Sequence, residues 1–300
     1  MKSYKIGDIL IAIDSDMKFN DYDILDKFIY IKNDEEYDAL YKVKISNPYV
    51  FEDEKMIFKN SKMKVYKDGK KTSRVYGMND LFGDYACVEF EKDSSQYTCN
   101  IYKGKEEAFY STKHLLELLV MEDLFLKNNS IVLHSSNILF KDKSILFTAP
   151  SGTGKSTQAN LWNETLKAKI INGDRALIKK IDNKYFSMGI PFCGSSSICE
   201  NERYPIGIVV VLKQGNENII RKISKIEAYK RIISEVTVNI WDKESVLKVS
   251  DIVEDIVNNI EIIELTCLPN VDAVILLRDY LELGKIRGNS WCTNRIHNHK

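Results

Sequence analysis

Several absences narrow the reading first. No apolar run approaches the roughly 20 residues of a membrane-spanning helix, so no membrane partner is expected. Neither sign of charge is in excess: 43 Lys and Arg face 43 Asp and Glu. That balance removes the electrostatic case for a nucleic-acid partner or an anionic surface. The six cysteines, Cys87, Cys99, Cys193, Cys199, Cys267 and Cys292, lie far apart with no CxxC spacing. They are expected to be reduced, structural thiols of a cytoplasmic protein. The opening Met1–Asp8 meets acids at Asp8 and Asp14 too soon for a signal peptide. There is no internal repeat and no low-complexity stretch.

What is present suits a soluble globular protein: 300 residues, 44% apolar and 29% charged, enough for one large or two ordinary domains. Residues 1–111 read as a β-rich accessory or substrate-presenting domain. Tyr4–Ile13 is rich in apolar residues, Phe28–Ile31 is a short β-like run, and Ala86–Phe90 with Tyr97–Tyr102 forms a strand pair. Met63–Tyr66 and Arg74–Tyr76 flank Asp68-Gly69, a hairpin signal. Residues 112–287 read as a nucleotide-binding catalytic domain, and 288–300 as a flexible tail. That tail carries Cys292, His297 and His299, which read as a polar terminus rather than a metal cluster.

In the second domain, Thr112–Lys127 predicts one buried helix. Ile131–His134 and Asn137–Phe140 are two apolar β-like runs, and Lys141-Asp142-Lys143 is expected to turn into the next strand. The unbroken apolar run Ile206–Leu212 predicts a buried strand. Helices are expected over Ser224–Ile240, Glu244–Asn258 and Val271–Leu283, with a strand over Glu261–Cys267.

One stretch organises the rest. Ser144-Ile-Leu-Phe-Thr-Ala-Pro-Ser-Gly-Thr-Gly-Lys-Ser-Thr157 is a short apolar run, a glycine-bearing turn and then Lys-Ser-Thr opening a helix. It matches the phosphate-binding pattern, with Ala149 where the commonest form has glycine. Gly152 and Gly154 let the backbone curl around an anion. Ser151, Thr153 and Thr157 complete the cradle. Lys155 would reach the β and γ phosphates, and Ser156 would offer its hydroxyl to Mg²⁺. The expected ligands are ATP and Mg²⁺.

Holding a nucleotide is not transferring a phosphoryl group; that also needs an acid as base or metal ligand. Asp174, eighteen residues after Ser156, closes the next expected strand and is the best candidate for both. Arg175 beside it would either stabilise phosphate charge or pair with a surface acid. His134 ends a strand expected to lie beside the loop's own strand. The Gly194–Ser197 turn would present hydroxyl and N–H groups, or serve as a plain loop.

Leu133-His134-Ser135-Ser136, then Ala149–Thr157, then Asn172-Gly173-Asp174 together resemble the catalytic domain of HPr kinase/phosphorylase, and more closely the smaller HPr-kinase-related proteins. Ile190-Pro191-Phe192-Cys193-Gly194 is similar to their short substrate-side loop. The resemblance covers about residues 115–285. It implies an α/β fold of the phosphoenolpyruvate-carboxykinase-like P-loop type with a mixed sheet. In that fold His134 and Asp174 would line the phosphoryl-transfer site, with Lys155 and Ser156 on nucleotide and metal. The family usually has two adjacent acids, whereas Asp174 is followed by Arg175. One carboxylate then does the work of two, or another residue contributes.

The implied activity is an ATP-dependent kinase acting on a hydroxyl of a peptide, small protein or small molecule, in a chain that relatives suggest would assemble as a homo-oligomer. A nucleotide-binding regulatory or assembly protein is the alternative. A carboxykinase ranks last, because no His/Lys metal pair is evident.

Overall fold

Alternating apolar and polar residues put most of the first third of the chain into strands. The computed structural model describes residues 1–15, 17, 23–31, 36–77, 83–110 and 112–283, and the tail residues Gly284, Cys292, His297 and His299 lie outside them. Strands β1 (Lys2–Ile6) and β2 (Ile9–Ser15) form a hairpin, and a short helix α1 (Asp23–Asp26) follows. Then come β3 (Ala39–Ser46), β4 (Met56–Lys59), β5 (Met63–Asp68), β6 (Lys71–Gly77), β7 (Asp84–Glu91) and β8 (Gln96–Tyr102). They build an eight-stranded sheet in the order β1-β2-β3-β8-β7-β6-β5-β4. It is mixed, because β3 runs parallel to both β2 and β8. The Asp68-Gly69 hairpin closes between β5 and β6. Phe28–Ile31 makes no strand; only an isolated bridge joins Ile29 to Tyr4.

The helix expected over Thr112–Lys127 is two helices, α2 (Thr112–Leu118) and α3 (Met121–Lys127). Val120 breaks them with a φ of 45°, a conformation that a β-branched residue adopts rarely. Both pack in the first unit rather than with the residues that follow. Tyr41 donates to the Leu119 carbonyl, the Cys99 thiol lies 3.7 Å from that of Leu118, and Tyr85 donates to Glu117 at 3.0 Å. The first compact unit is therefore Met1–Asn128 with Asn239–Ser245, and the second is Asn129–Val238 with the chain from Val246 onward. The dividing line falls about 17 residues beyond the expected one, because the α2–α3 apolar side chains are buried by the first sheet.

The second unit carries β9 (Ser130–Phe140), β10 (Lys143–Thr148), α4 (Lys155–Leu166), β11 (Lys169–Asn172), β12 (Arg175–Ile181), β13 (Lys184–Met188) and β14 (Arg203–Gln214). After these come β15 (Ile219–Lys222), α5 (Lys225–Ile233), α6 (Lys243–Asn259), whose first residues belong to the other unit, β16 (Ile262–Cys267) and α7 (Val271–Leu283). The strands form a second large mixed sheet in which β10, β14 and β16 run parallel. No described helix is long and apolar enough to cross a membrane. The core joins Phe140, Phe147 and Trp162 to Ile208, Val210, Ile263, Val274 and Leu277. It holds α4 and α7 against the sheet by burial of apolar area.

Two expectations change here. First, the runs Ile131–His134 and Asn137–Phe140 are joined through Ser135 and Ser136 into one eleven-residue strand, β9, and the expected turn follows at Lys141-Asp142. Its polar residues are buried and only Asn137 Nδ2 among these atoms is left without a partner: Ser136 Oγ donates to the Gly173 carbonyl at 2.8 Å, and Ser187 Oγ donates to Asn137 Oδ1 at 3.4 Å. A buried polar group that has its hydrogen bond is tolerated in a strand. Second, α5 stops at Ile233. The next residues run as an extended edge beside β9, with Val236 bridged to Leu133 and Thr237 N–H donating to the Val132 carbonyl at 2.9 Å.

Candidate functional site

Long strand β9 changes partner halfway, and His134 sits at that change. Residues 130–134 pair with β12, so that His134 lies opposite Arg175. Residues 135–140 pair with β10, so that Ser135 lies opposite Thr148, the last residue before the glycine-bearing loop. Thr148 Oγ1 donates to the His134 carbonyl at 3.0 Å. One strand thus delivers the histidine to the mouth of the loop.

The loop itself is shaped by backbone that side chains disfavour. Gly152 has φ of 80° and Gly154 of 114°, and α4 starts immediately at Lys155. Its first intrahelical bond runs from Gln158 N–H to the Gly154 carbonyl at 2.9 Å. The preceding N–H groups therefore have no acceptor inside the helix, and the helix dipole adds positive potential there. Ser151, Thr153 and Thr157 lie along this same turn and first helical residues. Lys155 Nζ folds back to donate to the carbonyls of Ala149 at 2.7 Å and Pro150 at 3.2 Å. Burial lowers the Lys155 ammonium below the ordinary lysine range, against the opposing fields of Glu235 and Asp174.

Asp174 is placed by a side-chain turn. Strand β11 ends at Asn172 rather than at the acid. The Asn172 Oδ1 accepts from the N–H groups of Asp174 at 2.9 Å and Arg175 at 2.8 Å, while its Nδ2 donates to the Ile190 carbonyl at 2.7 Å. This local capture of backbone donors folds the chain back at Gly173. It explains in physical terms why Asn precedes Gly-Asp. Ser156 Oγ donates to the Gly173 carbonyl at 3.4 Å, which sets the hydroxyl one residue from Asp174.

Around Asp174 the charges interlock. His134 Nε2 lies 3.4 Å from Asp174 Oδ1, and Arg175 Nε lies 3.4 Å from Oδ2. The hydrogen bond from His134, then Arg175, hold the Asp174 carboxyl below the usual aspartate range against the opposing effect of burial. Arg175 also donates to Thr237 Oγ1 at 2.8 Å, so it pairs with an acid of the site rather than with a surface one. Glu235 is the residue that sequence reading missed: its carboxylate lies 3.1 Å from His134 Nδ1 across 101 positions of chain. The β-branched run Val236-Thr237-Val238 was the available signal, because it favours an extended edge over the helix drawn through it.

The Gly194–Ser197 turn closes against the acid. Gly194 has φ of 57°, and a β-carbon built on it would lie 2.8 Å from Asp174 Cγ. Gly194→Ala therefore meets both left-handed backbone strain, about 1–2 kcal/mol, and a clash with Asp174. Urea unfolding should show a loss of at least about 1 kcal/mol; stability equal to the parent would mean that the turn does not lean on Asp174.

Among the described residues no group of three or more His, Cys, Asp or Glu side chains is arranged to hold a metal ion. The oxygen donors at hand are Ser156 Oγ and the Asp174 carboxylate, a hydroxyl and an acid of the kind that hold Mg²⁺ together with phosphate oxygens and water.

No protein-family model matches this chain, and no curated protein is found to be similar to it. Among solved structures it is similar to the HPr(Ser) kinase/phosphatase from Coxiella burnetii. That match has 10% identity and a TM-score of 0.30, over 52% of this chain and 91% of the other. A likeness at that level decides nothing about activity.

Proposed function

We propose that this protein is an ATP-dependent kinase of the HPr-kinase-like kind. It would have a phosphoenolpyruvate-carboxykinase-type P-loop domain and transfer the γ-phosphoryl group of ATP to a hydroxyl of a peptide, small protein or small molecule. The observation that carries this reading is one corner of the second unit. There the Ser156 hydroxyl donates to the Gly173 carbonyl, His134 meets Asp174, and Lys155 feels the charges of Glu235 and Asp174.

In this reading the loop N–H groups and Lys155 bind the β and γ phosphates, and Lys155 exchanges its carbonyl partners for phosphate oxygens. Asp174, kept ionised, takes the proton of the acceptor hydroxyl as its oxygen attacks the γ phosphorus and the bond to the ADP oxygen breaks. His134 holds Asp174 in place, and Arg175 adds positive charge beside it. Mg²⁺, held by Ser156 and Asp174, would supply charge neutralisation at the β and γ oxygens.

Isothermal titration with Mg·ATP is the direct test, with saturable binding expected in the micromolar to low millimolar range. No saturable binding of Mg·ATP or Mg·ADP by the folded protein would remove the reading. The alternative of a nucleotide-binding regulator without transferase activity draws on the single carboxylate beside Ser156. Acceptor-dependent ADP release excludes it.

A further inference from the structure

We propose that Glu235 is the second acid of this site and acts as a positioning residue through His134, an inference that rests on the phosphoryl-transfer reading. Its side chain is only 10% exposed. A carboxylate taken that far from water is costly unless paired and hydrogen-bonded. Among the described residues it pairs with His134 Nδ1, at 3.1 Å. The arrangement is fixed from both sides, because His134 N–H donates to the Glu235 carbonyl at 2.9 Å and Val236 is bridged to Leu133. Backbone and side chain of Glu235 thus grip one residue.

A carboxylate accepts hydrogen bonds, so Glu235 takes one from His134 Nδ1–H, and the ring plane it fixes aims Nε2 at Asp174 Oδ1, 3.4 Å away. The bond from Nε2–H is the one that holds Asp174, and Glu235 keeps the ring turned for it. The sequence Glu235–His134–Asp174 is a relay of orientation: the far acid sets the ring, and the ring sets the acid that meets the acceptor. Glu235 also heads the fields that support the charged form of Lys155, ahead of Asp174. The pair of adjacent acids absent from the Asp174-Arg175 dipeptide is in this way supplied from the stretch after α5.

Two variants test this. Glu235→Gln keeps an oxygen that can accept from His134 Nδ1–H, whereas Glu235→Ala keeps none. Turnover of Mg·ATP in Glu235→Ala should fall roughly 10- to 100-fold in kcat with the KM for ATP within about twofold, the split expected of a lost proton-handling geometry. Glu235→Gln should recover most of that kcat, because its amide oxygen can still hold the ring; a Glu235→Gln enzyme as impaired as Glu235→Ala overturns the proposal. So does a Glu235→Ala enzyme with unchanged kcat while Asp174→Asn is inactive. If Asp174→Asn and Lys155→Ala are also fully active, the phosphoryl-transfer reading fails instead.

Discussion

Asp174→Asn should abolish phosphoryl transfer, lowering kcat at least about 10³-fold, while the protein keeps its fold and still binds nucleotide. The amide is the same size and its single oxygen can keep one of the two 3.4 Å approaches, from His134 or from Arg175, but it cannot accept a proton. Folding should tolerate the change, because the Gly173 turn is held by Asn172 and by the Asp174 backbone, whose carbonyl accepts from Ser135 N–H at 3.0 Å. Removing the carboxylate leaves the His134–Glu235 pair in place. Lys155→Ala should differ in kind. It deletes the cation proposed to meet the phosphates, so the loss should appear in nucleotide binding as well as in turnover. Titration calorimetry and ADP release measured on both variants separate the two. An Asp174→Asn enzyme within about tenfold of the parent would remove Asp174 from the chemistry.

The contrast between these residues and Glu235 shows what the linear chain discloses. The loop was legible because its grammar is local: strand β10, two glycines, then Lys-Ser-Thr at the start of α4, all within Lys143–Leu166. Asp174 was legible through its place after the next strand. Helix α7 and the parallel strand β14 showed themselves by periodicity and by an unbroken apolar run. The continuity of β9 was hidden because Ser135 and Ser136 interrupt the apolar pattern, and Ser136 and Asn137 find hydrogen bonds inside the fold only through distant partners, Gly173 and Ser187. Those partners lie 37 and 50 residues away, and nothing in a short window can disclose them. Glu235 was hidden for the same reason at twice the distance. It also lay in a stretch whose helical pattern continues past Ile233 on paper, where tertiary pairing with β9 overrides it.

The largest stability effect is expected far from this site, at Arg74 in the first unit. The Arg74 side chain is only 3% exposed and forms ion pairs with Glu122 and Asp123 of α3. It lies between the rings of Phe90 and Trp241, at 5.4 and 5.3 Å. Asn239 donates to the same Asp123, which ties the Asn239–Ser245 segment into this unit. Arg74→Met would strand two carboxylates around a neutral side chain. Breaking a buried pair by removing one partner typically destabilises by about 3–5 kcal/mol.

The pH dependence gives the effect a sign. Burial, with help from Glu122, raises Asp123 to about 6 even with Arg74 opposing the shift. A carboxyl whose folded pKa lies above its unfolded value contributes stability that is present below about pH 3.9 and lost as pH rises through the folded value. Without Arg74 that folded value climbs further, so the penalty of Arg74→Met should be largest above about pH 7 and shrink toward about pH 5. Urea unfolding followed by far-UV circular dichroism at both pH values measures it. The triple variant Arg74→Met, Glu122→Gln, Asp123→Asn should recover much of the loss, since it leaves no unpaired charge behind. A penalty below about 1 kcal/mol at neutral pH, or one that grows on acidification, would show that Arg74 is not what makes those two acids tolerable in the interior.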